Sequence, residues 1–278
     1  MQLEIPKITV IISFYNKTEL LKLIFAALEK QTFQDFEVIV SDDGSKASEV
    51  EKVNELIKST TLKSHHVWHE DSGFRKNIIL NKSVVKSHGE YLVFIDGDCL
   101  PHPKFLEEHW SLREKGITVA GRRINLSASI SSQITIEKIN KGYLSGKITL
   151  DIVTDALKNR NPHWENAIRI QNKLMRKIFL KVKDKGILGC NFGLFKADLL
   201  DVNGFDERFV HPGCGEDSDV DIRLRNAGKT TKMYKHLITV YHIFHPILNT
   251  EGAEWHLYEE HKKNNVGYTP YGIIQEKA

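Results

Sequence analysis

The stretch from Tyr91 to Asp98, YLVFIDGD, constrains the fold more than any other part of the sequence. Its apolar residues are mostly β-branched or aromatic, which predicts a strand buried in the centre of a parallel sheet. The strand runs into two carboxylates, Asp96 and Asp98, separated by Gly97. Ligands of open α/β sheets bind at this end of the strands, and two such carboxylates can converge on one divalent cation. An acidic β-turn is the alternative, since Asp-Gly is also turn chemistry.

Strands and helices alternate through the first half of the sequence. Apolar runs predict strands at residues 8–14, 36–40, 65–68 and 91–95. Helical spacing of apolar residues between them predicts helices at about 18–30, 47–58 and up to 88. This alternation is typical of βαβ units with right-handed crossovers. The predicted fold class is therefore α/β, with a Rossmann-like, mostly parallel central sheet flanked by helices.

The pattern changes after Gly121. Residues 126–185 are polar and helical in places, which predicts a helical insertion. The insertion contains a basic run: Lys173, Arg176, Lys177, Lys181, Lys183 and Lys185. Such a run usually forms a solvated helix face, and contact with anionic lipid or a phosphorylated acceptor is the alternative. Regular patterns resume with a helix over 217–226 and a strand over 237–242, and a polar tail follows Pro246.

Composition narrows the class of function. The chain has 278 residues and is 41% hydrophobic, so a sizeable core is expected. A net charge of +3 is too small to indicate a nucleic-acid partner. Cys99, Cys190 and Cys214 have no C-x-x-C spacing, which indicates neither disulfides nor a zinc site and favours a cytoplasmic location. No leader or membrane-spanning run is recognisable, so we expect a soluble protein or one attached to a membrane surface.

Two acidic turns follow predicted parallel strands: Asp42-Asp43 and the turn around Gly97. Because the carboxyl ends of parallel strands lie at one edge of the sheet, both turns can face one cleft. A nucleotide suits such a cleft, with one turn at the base and ribose and the other at metal and diphosphate. The sequence has no G-x-G-x-x-G and no P-loop, so metal and Arg75 would neutralise the diphosphate. Helix capping is the alternative for Asp42 or Asp43.

Two further clusters carry chemistry. Glu216 and Asp217 follow small residues where a helix is predicted to begin, and a carboxylate there can act as a general base on a hydroxyl. Capping of the helix is the alternative for one of these acids. His242 and His245 follow the last predicted strand, and either can complete the metal site, since imidazole binds Mn²⁺. The alternative is a pair of structural histidines.

In this order, the clusters resemble the inverting GT-A glycosyltransferases of family 2. The region around Glu216 is also similar to the carboxyl-terminal part of galactosyltransferase-type members, including bacterial chondroitin-synthase-like enzymes. The matching segments are residues 10–16, 41–45, 70–75 with Asn81, 94–98, 204–206 and 215–224. The resemblance covers about 1–125 and 186–246 and leaves the middle of the chain unmatched.

The resemblance implies a GT-A domain over residues 1–250 and a tail over 251–278. Within the domain it implies three parts: a nucleotide-sugar-binding half at 1–125, a helical insertion at 126–185 and an acceptor and catalytic half at 186–250. It implies Mn²⁺ or Mg²⁺ as cofactor and a nucleotide-sugar donor, most often a UDP-sugar. The acceptor would be a glycan or lipid-linked glycan of bacterial surface polysaccharide synthesis, handled in the cytoplasm or at the inner face of the membrane.

The resemblance also assigns roles to residues. The nucleotide-sugar is expected to lie against Ser13, Tyr15, Asp42, Asp43, Arg75, Asp96 and Gly97. The metal is expected to be held by Asp98, Asp96 and one of the two histidines, His242 or His245, with Asp98 as the surest direct ligand. Asp217 is expected to deprotonate the acceptor hydroxyl and Glu216 to orient the acceptor. The hydroxyl then attacks the anomeric carbon from the face opposite the diphosphate.

One departure and two alternatives remain. Relatives often have a tryptophan in the loop before Glu-Asp, where this chain has residues 211–215, HPGCG, so the resemblance says little about the acceptor. A sugar nucleotidyltransferase is one alternative, although the expected Gly-rich loop after the first strand is missing. A non-catalytic nucleotide- or glycan-binding module is the other, although binding alone does not require a base at Asp217.

Overall fold

The structure, a computed structural model, describes residues 5–159, 164–170, 182–183, 186–213, 215–246 and 254–275. Strands are numbered in chain order: β1 (Ile8–Phe14), β2 (Phe36–Asp42), β3 (Ser64–Trp68), β4 (Tyr91–Asp96), β5 (Cys99–Pro101), β6 (Ile117–Ala120), β7 (Arg122–Asn125), β8 (Val182–Lys183), β9 (Asn191–Phe195), β10 (Thr230–Tyr234) and β11 (Thr239–His242). Helices are α1 (Thr18–Glu29), α2 (Ala47–Ser59), α3 (Lys76–Lys86), α4 (Phe105–Leu112), α5 (Ala128–Ser131), α6 (Ile136–Asn140), α7 (Lys147–Asn159), α8 (Lys196–Leu200), α9 (Glu216–Asn226) and α10 (Trp255–Lys263).

A large sheet runs through the molecule in the strand order β3-β2-β1-β4-β9-β6-β10-β8. The first four strands of this order are parallel, which confirms the predicted α/β fold with a mostly parallel sheet. β9 is antiparallel to both of its neighbours, and the sequence analysis did not predict it as a strand. It is held in place partly by Phe192, whose ring stacks on that of Phe94 at 4.7 Å.

The strand order reverses direction between β1 and β4, and this switch point positions the cleft. Ser13 pairs with Asp96 across β1 and β4, and Phe14 pairs with Asp42 across β1 and β2. All three strands therefore end at the same level. Crossover helices leave neighbouring strands in opposite directions at such a point, and the opening between them is where ligands of open α/β sheets bind.

Both faces of the sheet are covered, and for this reason the central strands are almost continuously apolar. Alternate residues of one strand enter different cores. Val93 and Ile95 join a core with α1, while Leu92 and Phe94 join a core with α3, α8 and α9. Each of these four side chains is at most 2% exposed. The result is a helix–sheet–helix sandwich in which β4 is buried up to Asp96.

A second, smaller sheet has the order β5-β11-β7. The sequence predicted the strand that contains His242 but not its membership of a separate sheet. β11 runs antiparallel to β5, which opposes His242 to Cys99. The backbone N–H of Ile243 also donates to the carbonyl of Asp98 at 2.9 Å. This pairing joins two parts of the chain that lie far apart in sequence.

The described part of the segment predicted as a helical insertion contains the helices α5, α6 and α7, but it also contributes the two-residue strand β8 to the large sheet. Ile139, Leu144, Ile148 and Ile152 from this part belong to the same core as α1. Most of the basic run lies outside the described residues, and the division of the chain at 126–185 remains a prediction.

The tail is more than a polar extension. Helix α10 packs along α9, with Leu257 buried. Beyond α10, Gly272 lies so close to Asn203 that a Cβ there would be 1.8 Å from its carbonyl oxygen. The described tail residues therefore form part of the fold.

A buried ion network fixes α9. The Arg223 guanidinium, fully buried, donates to Asp219 at 2.8 Å and to the carbonyls of Val202 and Gly204 at 2.8 and 2.9 Å. The opposite oxygen of Asp219 bonds His261 of α10 at 2.5 Å. Because every partner is buried, breaking the network leaves charges that water cannot reach. The position of α9 therefore depends on these ion pairs.

We expect Arg223→Met to lower the free energy of unfolding by roughly 3–5 kcal/mol, since the side-chain volume is kept but a buried charge loses its partner. Urea denaturation followed by circular dichroism measures the change. Lys22→Met is the control, because the Lys22–Glu19 pair is exposed and should contribute less than about 1 kcal/mol. Equal small losses in both variants would contradict a structural role for the network.

Candidate active site

A cleft of about 470 Å³ opens at the carboxyl ends of β1, β2 and β4. Its walls include most residues predicted from the sequence: Ser13, Tyr15, Asp43, Asp96, Gly97, Asp98 and Glu216. Phe74, Lys76 and Pro212 also line it. The cleft therefore brings together Ser13, Tyr15 and Asp43, the Asp-Gly-Asp turn and Glu216. The other predicted site residues, Asp42, Arg75, Asp217, His242 and His245, are not among the residues that line it. Its volume lies within the range of small-molecule sites.

Asp42 and Asp43 differ in what they can reach. Asp43 lines the cleft, and its carboxylate accepts from the backbone N–H of Arg75 at 2.9 Å and contacts His69 at 2.8 Å. Burial raises the pKa of Asp43 more than these hydrogen bonds lower it. Asp42 is fully buried and holds the turn from beneath, bonded to the N–H of Ser45 at 2.8 Å and to His66 at 2.9 Å. Asp42 thus supports the donor side without facing the cleft.

The Asp-Gly-Asp turn needs its glycine. A Cβ on Gly97 would lie 2.7 Å from the carbonyl oxygen of Ser13, so only glycine lets this turn pass so close to β1. The turn places the carboxylates of Asp96 and Asp98 in different surroundings. Asp96 stays on the cleft wall, whereas Asp98 turns towards the small sheet and its histidines.

Both predicted histidines reach Asp98. Nε2 of His242 lies 3.5 Å from one carboxylate oxygen of Asp98, and Nε2 of His245 lies 3.2 Å from the other. The two Nε2 atoms are 3.3 Å apart. Nδ1 of His245 is 2.9 Å from the carbonyl of Pro246, which favours a proton on Nδ1 and leaves Nε2 free as an acceptor. The Asp98 carboxylate and the two Nε2 atoms thus form a compact group of potential metal ligands.

The donor set fits a divalent metal. Burial raises the pKa of Asp98, but hydrogen bonding and the charge of His242 outweigh it and hold the pKa below its usual range. Burial keeps the pKa of the neighbouring Cys99 thiol well above its usual value, so Cys99 stays protonated and donates to Asp98 at 3.4 Å. A carboxylate with two imidazoles suits Mn²⁺ better than Mg²⁺, which prefers oxygen ligands.

Asp217 sits in the first turn of α9 and is held by a close backbone contact. The N–H of Gly189 donates to its carboxylate at 2.9 Å, and a Cβ on Gly189 would lie 2.0 Å from the same oxygen. Burial, with the negative charges of Glu216 and Asp96, raises the pKa of Asp217 to about 6 despite the opposing charge of Lys76. A carboxylate of this pKa is a stronger base than an ordinary aspartate and is still ionised at neutral pH.

Lys76 is the site residue that the sequence analysis missed. Its ammonium lies 3.3 Å from Asp96, and the charges of Asp96, Asp217 and Glu216 raise its pKa above the usual value although burial lowers it. The predicted cation, Arg75, instead bonds the carbonyl of Phe74 at 2.8 Å. A lysine in the first turn of a helix looks like a surface residue in a sequence, and only its position next to Arg75 could have drawn attention to it.

Two family models match the chain. The model described as Glycosyl transferase family 2 matches residues 9–196. The model described as N-terminal domain of galactosyltransferase matches residues 171–246. The first match covers well over half of the sequence and includes most of the residues that line the cleft, and the second covers Pro212, the Glu-Asp turn and the two histidines. The chain therefore belongs to glycosyl transferase family 2.

Curated relatives agree with this assignment. Chondroitin synthase from Escherichia coli is 28% identical over 243 residues, which is 82% of this chain and 33% of that protein. GalNAc(5)-diNAcBac-PP-undecaprenol beta-1,3-glucosyltransferase from Campylobacter jejuni is 24% identical and is matched over 98% of this chain and 74% of its own length. The chain thus spans about a third of the chondroitin synthase that it matches.

Solved structures share the fold. Mannosyltransferase PcManGT from Pyrobaculum calidifontis, solved in complex with GDP-Man and Mn²⁺, superposes with a TM-score of 0.56 at 15% identity, over 93% of this chain and 62% of that one. Staphylococcus aureus TarS superposes with a TM-score of 0.54 at 15% identity, over 93% and 43%. At this identity the likeness concerns the fold alone. Among the described residues, no helix has the length and apolar character needed to span a membrane.

We expect Asp217→Asn to stabilise the protein at pH 7.5 by on the order of 2 kcal/mol. The raised pKa means that the ionised carboxylate is less stable in the folded chain than in the unfolded chain. This cost is fully present above pH 6 and disappears as the pH falls towards 4, where asparagine should confer no advantage. Urea unfolding at both pH values measures it, with the exposed Glu51→Gln as control. A change in the free energy of unfolding that is the same at both pH values would contradict the raised pKa of Asp217.

Proposed function

We propose that the chain is a metal-dependent, inverting transferase that moves a sugar from a UDP-sugar to a hydroxyl of a glycan or lipid-linked glycan. The observations that carry the proposal are that Asp98, which contacts His242 and His245, and Glu216 line one cleft, and that Asp217, the residue after Glu216, has a raised pKa. The printed names of the chondroitin synthase and undecaprenol-linked relatives support a role in surface polysaccharide synthesis. A cytoplasmic location, with contact at the inner face of the membrane, belongs to the same proposal.

The nucleoside would occupy the side of the cleft formed by β1 and β2. Ser13, Tyr15 and Asp43 line this side, and the hydroxyl of Tyr15 bonds Asp71 at 3.2 Å across its mouth. Asp43 can accept hydrogen bonds from the base, because His69 and the backbone of Arg75 hold its carboxylate in place. Asp42 would act only by supporting this turn.

The diphosphate would lie between Lys76 and the Asp-Gly-Asp turn. A divalent cation held by Asp98, His242 and His245, with Asp96 on its cleft side, would neutralise the charge that develops on the leaving diphosphate. Lys76 supplies a second positive charge within the cleft, where water is partly excluded and charge interactions are stronger. We therefore assign to Lys76 the phosphate contact that the sequence analysis gave to Arg75.

Asp217 would take the proton of the acceptor hydroxyl. The hydroxyl oxygen then forms a bond to the anomeric carbon as the bond from that carbon to the diphosphate oxygen breaks, and attack from the opposite face inverts the configuration. Glu216 lines the cleft next to Asp217 and can accept hydrogen bonds from further acceptor hydroxyls. The hydrogen bond from the N–H of Gly189 fixes the orientation of the Asp217 carboxylate, and a general base must be held in such a fixed position.

We expect Asp217→Asn to lower the rate of sugar transfer by about 10²–10⁴-fold while leaving UDP binding intact, because it removes the base and keeps the shape. The transfer rate is measured with UDP-glucose, UDP-galactose and their N-acetyl and glucuronic acid counterparts as donors. Chondroitin and undecaprenol-linked glycans serve as acceptors. UDP binding is measured by the thermal shift that UDP and Mn²⁺ produce. Asp201→Asn, at an exposed surface pair, is the control. Normal transfer by Asp217→Asn would rule out this base.

We expect His242→Ala and His245→Ala each to weaken Mn²⁺ binding at least about tenfold, since each removes one nitrogen that faces Asp98. Calorimetric titration of the full chain with MnCl₂ in the presence of UDP measures the affinity.

The matched control is His65→Ala. His65 lies with Glu37 and His88 in another group spaced for a metal, at the amino ends of the strands. A loss of Mn²⁺ affinity in His65→Ala but not in the other two variants would place the metal at the wrong edge of the sheet for this function.

A further inference from the structure

The tail places an aromatic ring beside the predicted base. A Cβ built on Gly215 would lie 2.9 Å from Cζ3 and 3.1 Å from Cε3 of Trp255, so the six-membered part of the indole covers this glycine. Gly215 precedes α9 in a left-handed conformation, with φ of +91°. Glycine is therefore required here twice, for the backbone and for the space that Trp255 occupies.

The ring is held in a fixed orientation. Tyr258 packs edge-on against Trp255, with ring centroids 5.6 Å apart and planes at 85°. The residue before Trp255, Glu254, contacts His211 at 2.6 Å and so ties the start of α10 to the loop before α9. Further along α10, His261 bonds the buried Asp219. These contacts anchor α10 at both ends, yet the Trp255 side chain remains 44% exposed.

This exposed ring lies against Gly215, the residue that precedes the Glu-Asp turn. Its neighbour Gly215 is followed directly by Glu216, which lines the cleft together with Pro212 of the same loop. The donor side is formed by other parts of the chain, at the ends of β1, β2 and β4. A ligand resting on Trp255 would therefore approach Asp217 without competing for the nucleotide position.

A sugar ring is the ligand whose chemistry matches this surface. One face of a pyranose consists largely of C–H groups, and its rim carries hydroxyls. Flat aromatic side chains offer a large apolar surface of negative potential to such C–H groups, and carboxylates accept from the hydroxyls around them. Trp255 supplies the flat surface and Glu216 a carboxylate beside it.

We propose that the exposed face of Trp255 is a platform on which a pyranose ring of the acceptor stacks, with Glu216 and Asp217 at its edge. This deepens and rests on the proposed function, because the acceptor is then a glycan whose sugar unit is read by the tail. Such a site discriminates against simple alcohols, which have no ring to stack. The two phenylalanines in the connection before α9, Phe205 and Phe209, are buried, whereas the ring of Trp255 in α10 is exposed.

The test measures glycan binding to the full chain without donor. Tryptophan fluorescence and saturation-transfer NMR are recorded with hexasaccharides of chondroitin, heparosan, cellulose and chitin. We expect at least one to bind the wild type, Trp255→Ala to bind it at least about fivefold more weakly, and Trp255→Phe to retain most of the affinity. Tyr268→Ala is the matched control: this exposed tyrosine follows Gly267, which packs on Ala227 at the other end of α9.

Transfer assays separate this proposal from the one it rests on. With a transferred sugar, Trp255→Ala should raise the KM for the acceptor at least about fivefold and leave the KM for the donor within twofold. An unchanged acceptor KM, equal binding by Trp255→Ala and the wild type, or no binding of any hexasaccharide overturns the platform. Binding that depends on Trp255 without transfer from any donor supports the platform and overturns the transferase instead.

Discussion

The cleft depends on one electrostatic constraint: three carboxylates must lie close together at the edge of a sheet. Asp96 ends β4, while Glu216 and Asp217 begin α9. Two like charges 4 Å apart repel by about 4 kcal/mol at an effective dielectric constant of 20. The ammonium of Lys76 lies among them, 3.3 Å from Asp96, and the amino end of α9 favours negative charge. Together these two effects offset the repulsion and allow the acidic cleft to form.

Lys76 and the helix end do not fully offset the cost of ionising Asp217, and the cost that remains makes Asp217 a better base. If Lys76 fully balanced the carboxylates, all would be ordinary acids, but burial still raises the pKa of Asp217 to about 6. The ionised Asp217 carboxylate is therefore less stable in the folded chain than it would be in the unfolded chain, where water solvates it. In the proposed reaction the raised pKa makes the Asp217 carboxylate a stronger base, and this carboxylate is the group that takes the proton of the acceptor hydroxyl. The same residue thus lowers stability and provides catalytic potential.

The sequence predicted the parts of the site that are encoded by local pattern. A buried strand followed by Asp-Gly-Asp, and acids at a helix start, are patterns formed by residues that are neighbours in the sequence. The pairing of Asp98 with His242 was proposed from chemistry, but its cause, the antiparallel pairing of β5 with β11, has no local signal. Lys76 was missed for a related reason. Its role depends on Asp96, 20 residues away, and on Glu216 and Asp217, more than a hundred residues away, and no periodicity reveals such contacts.

Helix α9 links the two halves of the proposed mechanism. Its first turn carries Glu216 and Asp217, and its interior carries Asp219 and Arg223, whose buried bonds fix its position. His261 of α10 bonds the same Asp219, so the helix that carries Trp255 is held by the network that positions the base. A displacement of α10 would then move the exposed indole and strain the buried ion pair together. Because such a pair tolerates little displacement, the buried network holds α10, and with it Trp255, against α9 and its Asp217.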